Sequence, residues 1–173
     1  MKIIFSNKLS DLKTLLLIRH AKSDWNDISL SDFDRPLNER GKRDAPLMAQ
    51  RLLDKKIPID LFLSSPAKRA KKTASIFAEA YGLDKKQVEL YDELYLAPET
   101  VFADVISKMN NIADTVAVFA HNPGITEYAN SLTNARIDDM PTCCIFAVQA
   151  ACNNWNEFGA AKKTFLFVDY PKA

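Results

Sequence analysis

Two short apolar runs limit what this chain can fold into. The first, Leu15-Leu16-Leu17-Ile18, ends in Arg19-His20, and the second, Val116-Ala117-Val118-Phe119-Ala120, ends in His121. A short continuous apolar run bounded by polar residues reads as a strand buried on both faces, the pattern of parallel sheets. Each run breaks off into an imidazole, and these are the only two histidines of the chain. In open α/β sheets ligands bind outside the carboxyl ends of the strands. Both histidines are therefore expected on one sheet edge, with the chemistry.

The segments between the runs alternate helical and strand patterns. Residues 23–38 are rich in Asp, Ser and Asn and read as a loop. Ala45, Met48, Ala49, Leu52 and Leu53 follow helical spacing, and Pro46 suggests that this helix starts nearer Arg43 than Gly41. Residues 59–63 read as a strand leading into Ser64-Ser65-Pro66, an N-cap followed by a proline at the first helical position. The next helix carries Ala70, Thr73, Ala74, Phe77, Ala78 and Tyr81 on one stripe and ends at Gly82. A third strand is expected at about residues 87–91, then a short helix marked by Phe102, Val105, Ile106 and Met109. His121-Asn122-Pro123-Gly124 reads as a second cap-plus-proline start, with Ile125, Tyr128, Ala129 and Leu132 behind it. Residues 144–149 and 164–168 read as two further strands, joined through residues 155–159, that add antiparallel edges. The expectation is an α/β fold, a three-layer α/β/α sandwich with a central, mostly parallel sheet. Residues 1–12 read as an N-terminal extension and residues 13–173 as a single domain.

Composition enters mainly through what it excludes. The 173 residues carry a net charge of +1, so no global field recruits nucleic acid or an acidic membrane surface. No stretch approaches the ~18 apolar residues of a membrane span, and the first residues are too short an apolar segment for a signal peptide. The three cysteines, Cys143, Cys144 and Cys152, are odd in number and lack a second pair at zinc-ligand spacing. They read as reduced thiols of a cytoplasmic protein, with Cys143 and Cys144 in a buried strand. No metal or cofactor is expected.

In a parallel sheet the ends of the first four strands share one edge. That places Arg19, His20, Arg69, Glu93 and His121 together. Arg69 lies in the first turns of its helix beside Lys68, Lys71 and Lys72, where the helix dipole disfavours cations unless an anion binds in front. The lysines read as a solvated face. Glu93, within Tyr91-Asp92-Glu93-Leu94-Tyr95, suits a helix cap or a surface charge as well as a site. Two arginines and two histidines suit a tetrahedral dianion. Guanidinium offers bidentate, permanently charged donors, and a neutral imidazole is a nucleophile toward phosphorus. These residue types point to phosphoryl transfer, with preorganised cations instead of a metal.

Four blocks carry a family resemblance. Arg19-His20-Ala21-Lys22-Ser23-Asp24-Trp25-Asn26 resembles the R-H-G-x-S-x-x-N signature of the histidine phosphatase superfamily, which includes the cofactor-dependent phosphoglycerate mutases. Pro36-Leu37-Asn38-Glu39-Arg40-Gly41 resembles its P-L-x-x-x-G segment, and the block from Ser64 to Ala74 its S-S-P-x-x-R-A-x-x-T-A segment. Val118-Phe119-Ala120-His121-Asn122-Pro123-Gly124 is similar to its second histidine region, and the compact size looks most like the SixA-type phosphohistidine phosphatases. The resemblance implies that His20 is the nucleophile forming a phosphohistidine intermediate. It implies that Arg19, Arg69, His121 and Asn122 hold phosphoryl oxygens, with Asn26 a weaker contact, Ser23 shaping the loop and Arg35 a further anion contact or a salt bridge. Glu93 stands near the position of a proton donor in many members. Ala21 departs from the motif glycine, and the stretch after Glu93 is too short for the helical lid of the mutases. The implied substrate is a phosphorylated protein bearing phosphohistidine, as in a phosphotransfer domain. The rivals are a small phosphate ester on the same site, or a non-catalytic phospho-binding module.

Overall fold

The computed structural model describes residues 12–172 of the chain. Six strands form one sheet: β1 Leu12–Arg19, β2 Leu61–Ser64, β3 Val88–Leu90, β4 Thr115–Ala120, β5 Ile145–Ala151 and β6 Lys163–Asp169. Five α-helices accompany them: α1 Glu39–Asp54, α2 Lys68–Ala80, α3 Glu99–Ser107, α4 Gly124–Leu132 and α5 Trp155–Phe158. The strand order is β3-β2-β4-β1-β5-β6. β1, β2, β3 and β4 run parallel, β5 pairs antiparallel with β1, and β6 antiparallel with β5. The mixed α/β sandwich expected from the alternating pattern is the fold observed.

The apolar runs are continuous because the sheet is covered on both faces. Leu15, Leu17, Val116, Val118 and Phe146 face one core, closed by Phe102, Val105 and Ile106 of α3, Ile125 and Tyr128 of α4, and Trp155 and Phe158 of α5. Leu16, Ile18, Phe62, Ala117 and Phe119 face the other, closed by Ala45, Met48 and Leu52 of α1 and Ala74 and Phe77 of α2. Alternate side chains of one strand thus fill opposite cores. At about 25 cal/mol per Å² of apolar surface removed from water, these layers are the main favourable contribution to stability. Among the described residues, no helix is long and apolar enough to cross a membrane.

Several boundaries differ from expectation for local reasons. Residues 1–11 of the expected N-terminal extension lie outside the described residues, and Leu12 already belongs to β1. Helix α1 starts at Glu39, before Arg43, because the Asn38 side chain caps it by accepting the Gly41 N–H. Gly41 is required there, since a Cβ would strike the carbonyl oxygen of Lys22. Ser65 and Pro66 do not begin α2: its N-cap is Ala67, without a side-chain cap bond. Cys143 and Cys144 precede β5 instead of lying in it, and Cys143 takes φ +63 while its N–H donates to the carbonyls of Arg19 and His20. All three cysteines are free and buried.

Candidate active site

Register brings the two histidines together. Arg19 pairs with Ala120 across β1 and β4, so the next residues, His20 and His121, leave the sheet side by side. Their ring centroids lie 5.1 Å apart. β2 ends at Ser64, opposite Phe119, and Ser65 follows with its hydroxyl 2.8 Å from His121 Nε2. Because β4 is inserted between β1 and β2, the chain parts at these strand ends, where crevices form in open α/β sheets. A cavity of about 280 Å³ lies there, lined among others by Arg19, His20, Arg35, Arg69, His121 and Asn122. Larger cavities near Asp60 contain neither histidine, so size alone does not mark the site.

His20 is held in one tautomer. Its Nδ1 lies 2.7 Å from the Ala21 carbonyl oxygen, which can only accept, so Nδ1 carries the proton. Arg69 Nε, which can only donate, points at His20 Nε2 from 3.2 Å. Both contacts leave the lone pair on Nε2. Burial holds the ring well below the ordinary histidine pKa, opposing its bond to Ala21, and the cationic neighbours act in the same direction as burial. His20 is a neutral imidazole with a basic nitrogen turned toward an arginine. His121 is likewise kept neutral, pushed down to about 3, first by burial and then by Arg69. The Ser65 hydroxyl accepts from the Ala67 N–H, so its own proton is available to His121 Nε2. With the Ser65 hydroxyl donating to Nε2, the one N–H of the neutral His121 ring is on Nδ1.

The remaining groups divide sharply. Arg69 is 2 % exposed and is engaged by His20 and by Asp32, through Nη2 to Oδ2 at 2.9 Å and Nη1 to the carbonyl. Arg19 donates from Nη1 to the Met140 carbonyl and, at 3.3 Å, to Asp139. Arg35 donates from Nη2 to Asp32 Oδ1 at 2.8 Å, and its guanidinium lies 3.4 Å from the Trp25 ring centroid. Asn122 donates to Asp139 and the Met140 carbonyl and accepts from Thr126. The buried side-chain nitrogens and oxygens without a partner, among the described residues, are Arg19 Nε, Arg35 Nε and Nη1, and His121 Nδ1. All four belong to the residues of this cleft, and all four are nitrogens. A buried donor left unpaired costs ~1–3 kcal/mol, so such a cluster points to an anionic ligand.

Two expected members are not in the cleft. Asn26 is exposed on the loop, where its backbone N–H binds Asp24, and it does not line the cavity. Glu93 is exposed on a 3-10 turn, Asp92–Leu94, and does not line the cavity either. β3 stops at Leu90, one residue short of the expected strand end at about residue 91, and the turn begins at Asp92. Ser23 is buried and bridges Leu37, which closes the neck of the loop. Sequence reasoning missed Asp32, Ser65, Thr73 and Tyr95. Thr73 accepts the Ala21 N–H at 3.0 Å, supporting the turn after His20. Tyr95 donates to Asp32 at 2.8 Å. Only Ser65 and Thr73 carried a signal, since both stand in the Ser64–Ala74 block.

The profile of the histidine phosphatase superfamily (branch 1) matches residues 15–98, which include Arg19, His20 and Arg69 but not His121. An uncharacterized chloroplastic protein of Arabidopsis thaliana is 35% identical over 153 residues, covering 84% of this chain and 70% of that protein. The chain belongs to the histidine phosphatase superfamily. Among solved structures, a protein histidine phosphatase SixA complexed with tungstate superposes with a TM-score of 0.77 at 22% identity, over 92% of this chain and 97% of that one. A candidate phosphohistidine phosphatase SixA from Agrobacterium tumefaciens also gives 0.77, at 24% identity, over 92% and 98% of the two chains. At these identities the superpositions establish a shared fold. This histidine phosphatase shares their compact form, and its α3 packs into the core with α4 and α5 and does not roof the cleft.

Proposed function

We propose that this phosphatase passes a phosphoryl group through a covalent intermediate on His20, without a metal, and that its substrate is phosphohistidine on a protein. The observation that carries the reading is the fixed Nδ1–H tautomer of His20, which leaves Nε2 unprotonated beside Arg69. In the first step His20 Nε2 attacks phosphorus, the P–N bond of the donor breaks, and the donor imidazole leaves, taking a proton from solvent water. In the second, water attacks phosphorus and gives up a proton to solvent, the P–Nε2 bond breaks to restore neutral His20, and inorganic phosphate departs. Arg19, Arg35, Arg69, His121 and Asn122 are the proposed ligands of the phosphoryl oxygens. Their fixed cations stabilise charge on the transferring group in the way a metal does elsewhere.

The choice of substrate rests on the leaving group and the access. An imidazole leaves more readily than an alkoxide, so strong general-acid help is less necessary, in keeping with a Glu93 that faces solvent. Among the described residues no helix roofs the cleft, which suits a side chain presented by a protein and disfavours a mutase, whose transfer benefits from excluding water. A tungstate-bound SixA of the same fold is consistent with an oxyanion site. Three buried free thiols fit a reducing compartment such as the cytoplasm.

Rapid-quench labelling with a phosphohistidine-bearing phosphotransfer protein tests this reading against His20→Ala. The expected result is acid-labile, base-stable label on the wild type alone, with turnover of the variant reduced about 10⁴-fold or more. Label from a small phosphate ester but not from the phosphoprotein would keep the chemistry and overturn the substrate. Phosphate binding without label from either donor would favour a binding module.

A further inference from the structure

One carboxylate sits on two cations of the cleft. The loop of residues 24–36 leaves and rejoins the body at one neck, where the Asp24 N–H donates to the Pro36 carbonyl and the Asn38 N–H to the Lys22 carbonyl. Beyond the neck, residues 25–34 are exposed. The loop reaches back to the body through two consecutive residues. Phe33 accepts the Lys68 N–H at its carbonyl and sets its ring edge-on to Tyr95. Asp32 takes Arg69 Nη2 and the Tyr95 hydroxyl on Oδ2, at 2.9 and 2.8 Å, and Arg35 Nη2 on Oδ1 at 2.8 Å.

The arrangement copies what a phosphoryl group would ask of the same donors. A carboxylate and a phosphoryl group both present paired oxygens at the spacing of a guanidinium fork. Two of the three groups converging on Asp32 are arginines, and both lie in the cleft beside the histidines. The third guanidinium of the cleft, Arg19, turns to Asp139 and the Met140 carbonyl instead. Asp32 itself is not locked in place: its side chain is 43% exposed, on a loop whose neighbours face solvent. A partly exposed ion pair of this kind is weak enough to be exchanged for another.

We propose that Asp32 is a tethered competitor for the phosphoryl site, and so a residue that sets its specificity. The proposal rests on the reading of Arg35 and Arg69 as phosphoryl ligands. A group entering the cleft must displace one carboxylate from two arginines. A doubly charged phosphoryl group does so, and a singly charged phosphodiester or carboxylate does so poorly. After hydrolysis the returning carboxylate helps expel inorganic phosphate. Binding measured from outside is reduced by the fraction of time the arginines are free. If Asp32 holds them about nine-tenths of the time, its removal tightens phosphate binding about tenfold.

Calorimetric titration of inorganic phosphate into the full chain tests this, comparing wild type with Asp32→Asn and Tyr95→Phe. Asp32→Asn keeps the size of the side chain and removes its charge. The expected result is about tenfold tighter phosphate binding in Asp32→Asn, and a smaller tightening in Tyr95→Phe, which loosens the carboxylate without removing it. Dimethyl phosphate, singly charged, is expected to compete with phosphate in Asp32→Asn more than in wild type. Unchanged or weaker phosphate binding in Asp32→Asn would overturn the proposal, the weaker result making Asp32 a positioning residue for Arg69. A fall in kcat with unchanged phosphate binding would also overturn it, in favour of an acid–base role. Failure of both wild type and variants to bind phosphate would overturn the phosphoryl-site reading as well, so the two failures are distinguishable.

Discussion

β1 carries a cation near each end, buried Lys13 and half-buried Arg19, and the protein treats the two ends in opposite ways. At its start Lys13 is fully buried, and its ammonium donates to the carbonyls of Asn111 and Ala113 and to Asp114 Oδ1, at 2.8, 3.1 and 2.7 Å. An ammonium has three protons, and all three are used. Its Nζ also lies 5.8 Å from the Trp155 ring centroid. At the other end, the arginines and histidines of the cleft leave four buried nitrogens unpaired. One end of the strand thus has a cation satisfied by the protein, and the other meets a group of donors, gathered from β1, the loop and the end of β4, that the protein leaves unsatisfied. The first arrangement is structural, and the second is open to a ligand. Satisfaction of hydrogen bonds, more than burial or charge, distinguishes them.

The largest effect expected from this contrast is on stability at the Lys13 end. Lys13→Met strands the Asn111 carbonyl and leaves Asp114 without its buried cation, while the Ala113 carbonyl keeps the Trp155 indole N–H, and is expected to cost about 3 kcal/mol of unfolding free energy. Its kcat at permissive temperature should stay near wild type, because the residue is at the opposite sheet edge. Urea unfolding beside a turnover assay checks this, and a loss of kcat with unchanged stability would break the contrast.

Acid sharpens it from the other side. Both histidines are held neutral in the folded protein, so between pH 6.5 and their depressed values the unfolded chain binds more protons and stability falls as pH falls. For His121, with an ordinary value of 6.5 moved to about 3, the loss at pH 5 is about 2 kcal/mol relative to pH 8. His20 adds to it with the same sign. A His121→Gln variant should show a flatter dependence in urea unfolding at pH 7 and pH 5. Equal slopes for variant and wild type would remove burial of neutral imidazole as the cause.

The smallest effect is expected at Arg35. Arg35→Met removes one ion pair to a partly exposed aspartate together with two unpaired buried nitrogens, so unfolding free energy should change by less than about 1 kcal/mol. Phosphate binding should weaken about tenfold, the loss of one charge-assisted contact. Loss of stability with unchanged phosphate binding would move Arg35 to the structural side.

What could be read from the chain alone depended on how local the physics was. The buried strands were legible because a run covered on both faces needs apolar residues without alternation. Each catalytic candidate adjoining such a run, Arg19, His20 or His121, was legible by its place at a strand end. Arg69 stood out because cations at a helix N-terminus are unfavourable without an anion. Ser65 was misread, because a serine before a proline-led helix has the composition of an N-cap. Only the fold shows that its hydroxyl faces His121.

Sequence by itself determined the sheet, its two faces and the edge where two histidines meet, since periodicity and run ends act over a few residues. Tertiary structure alone decided which loop residues turn inward. Asp32 and Asn26 lie six residues apart on one polar loop, with nothing in composition to separate them. Chain reversal at the Ser23–Leu37 neck carries Asp32 onto Arg69 and leaves Asn26 in solvent. Glu93 was likewise decided by where β3 stops. A partner 37 residues away, as Asp32 is from Arg69, is brought close by the packing of the whole domain and leaves no local trace in the sequence.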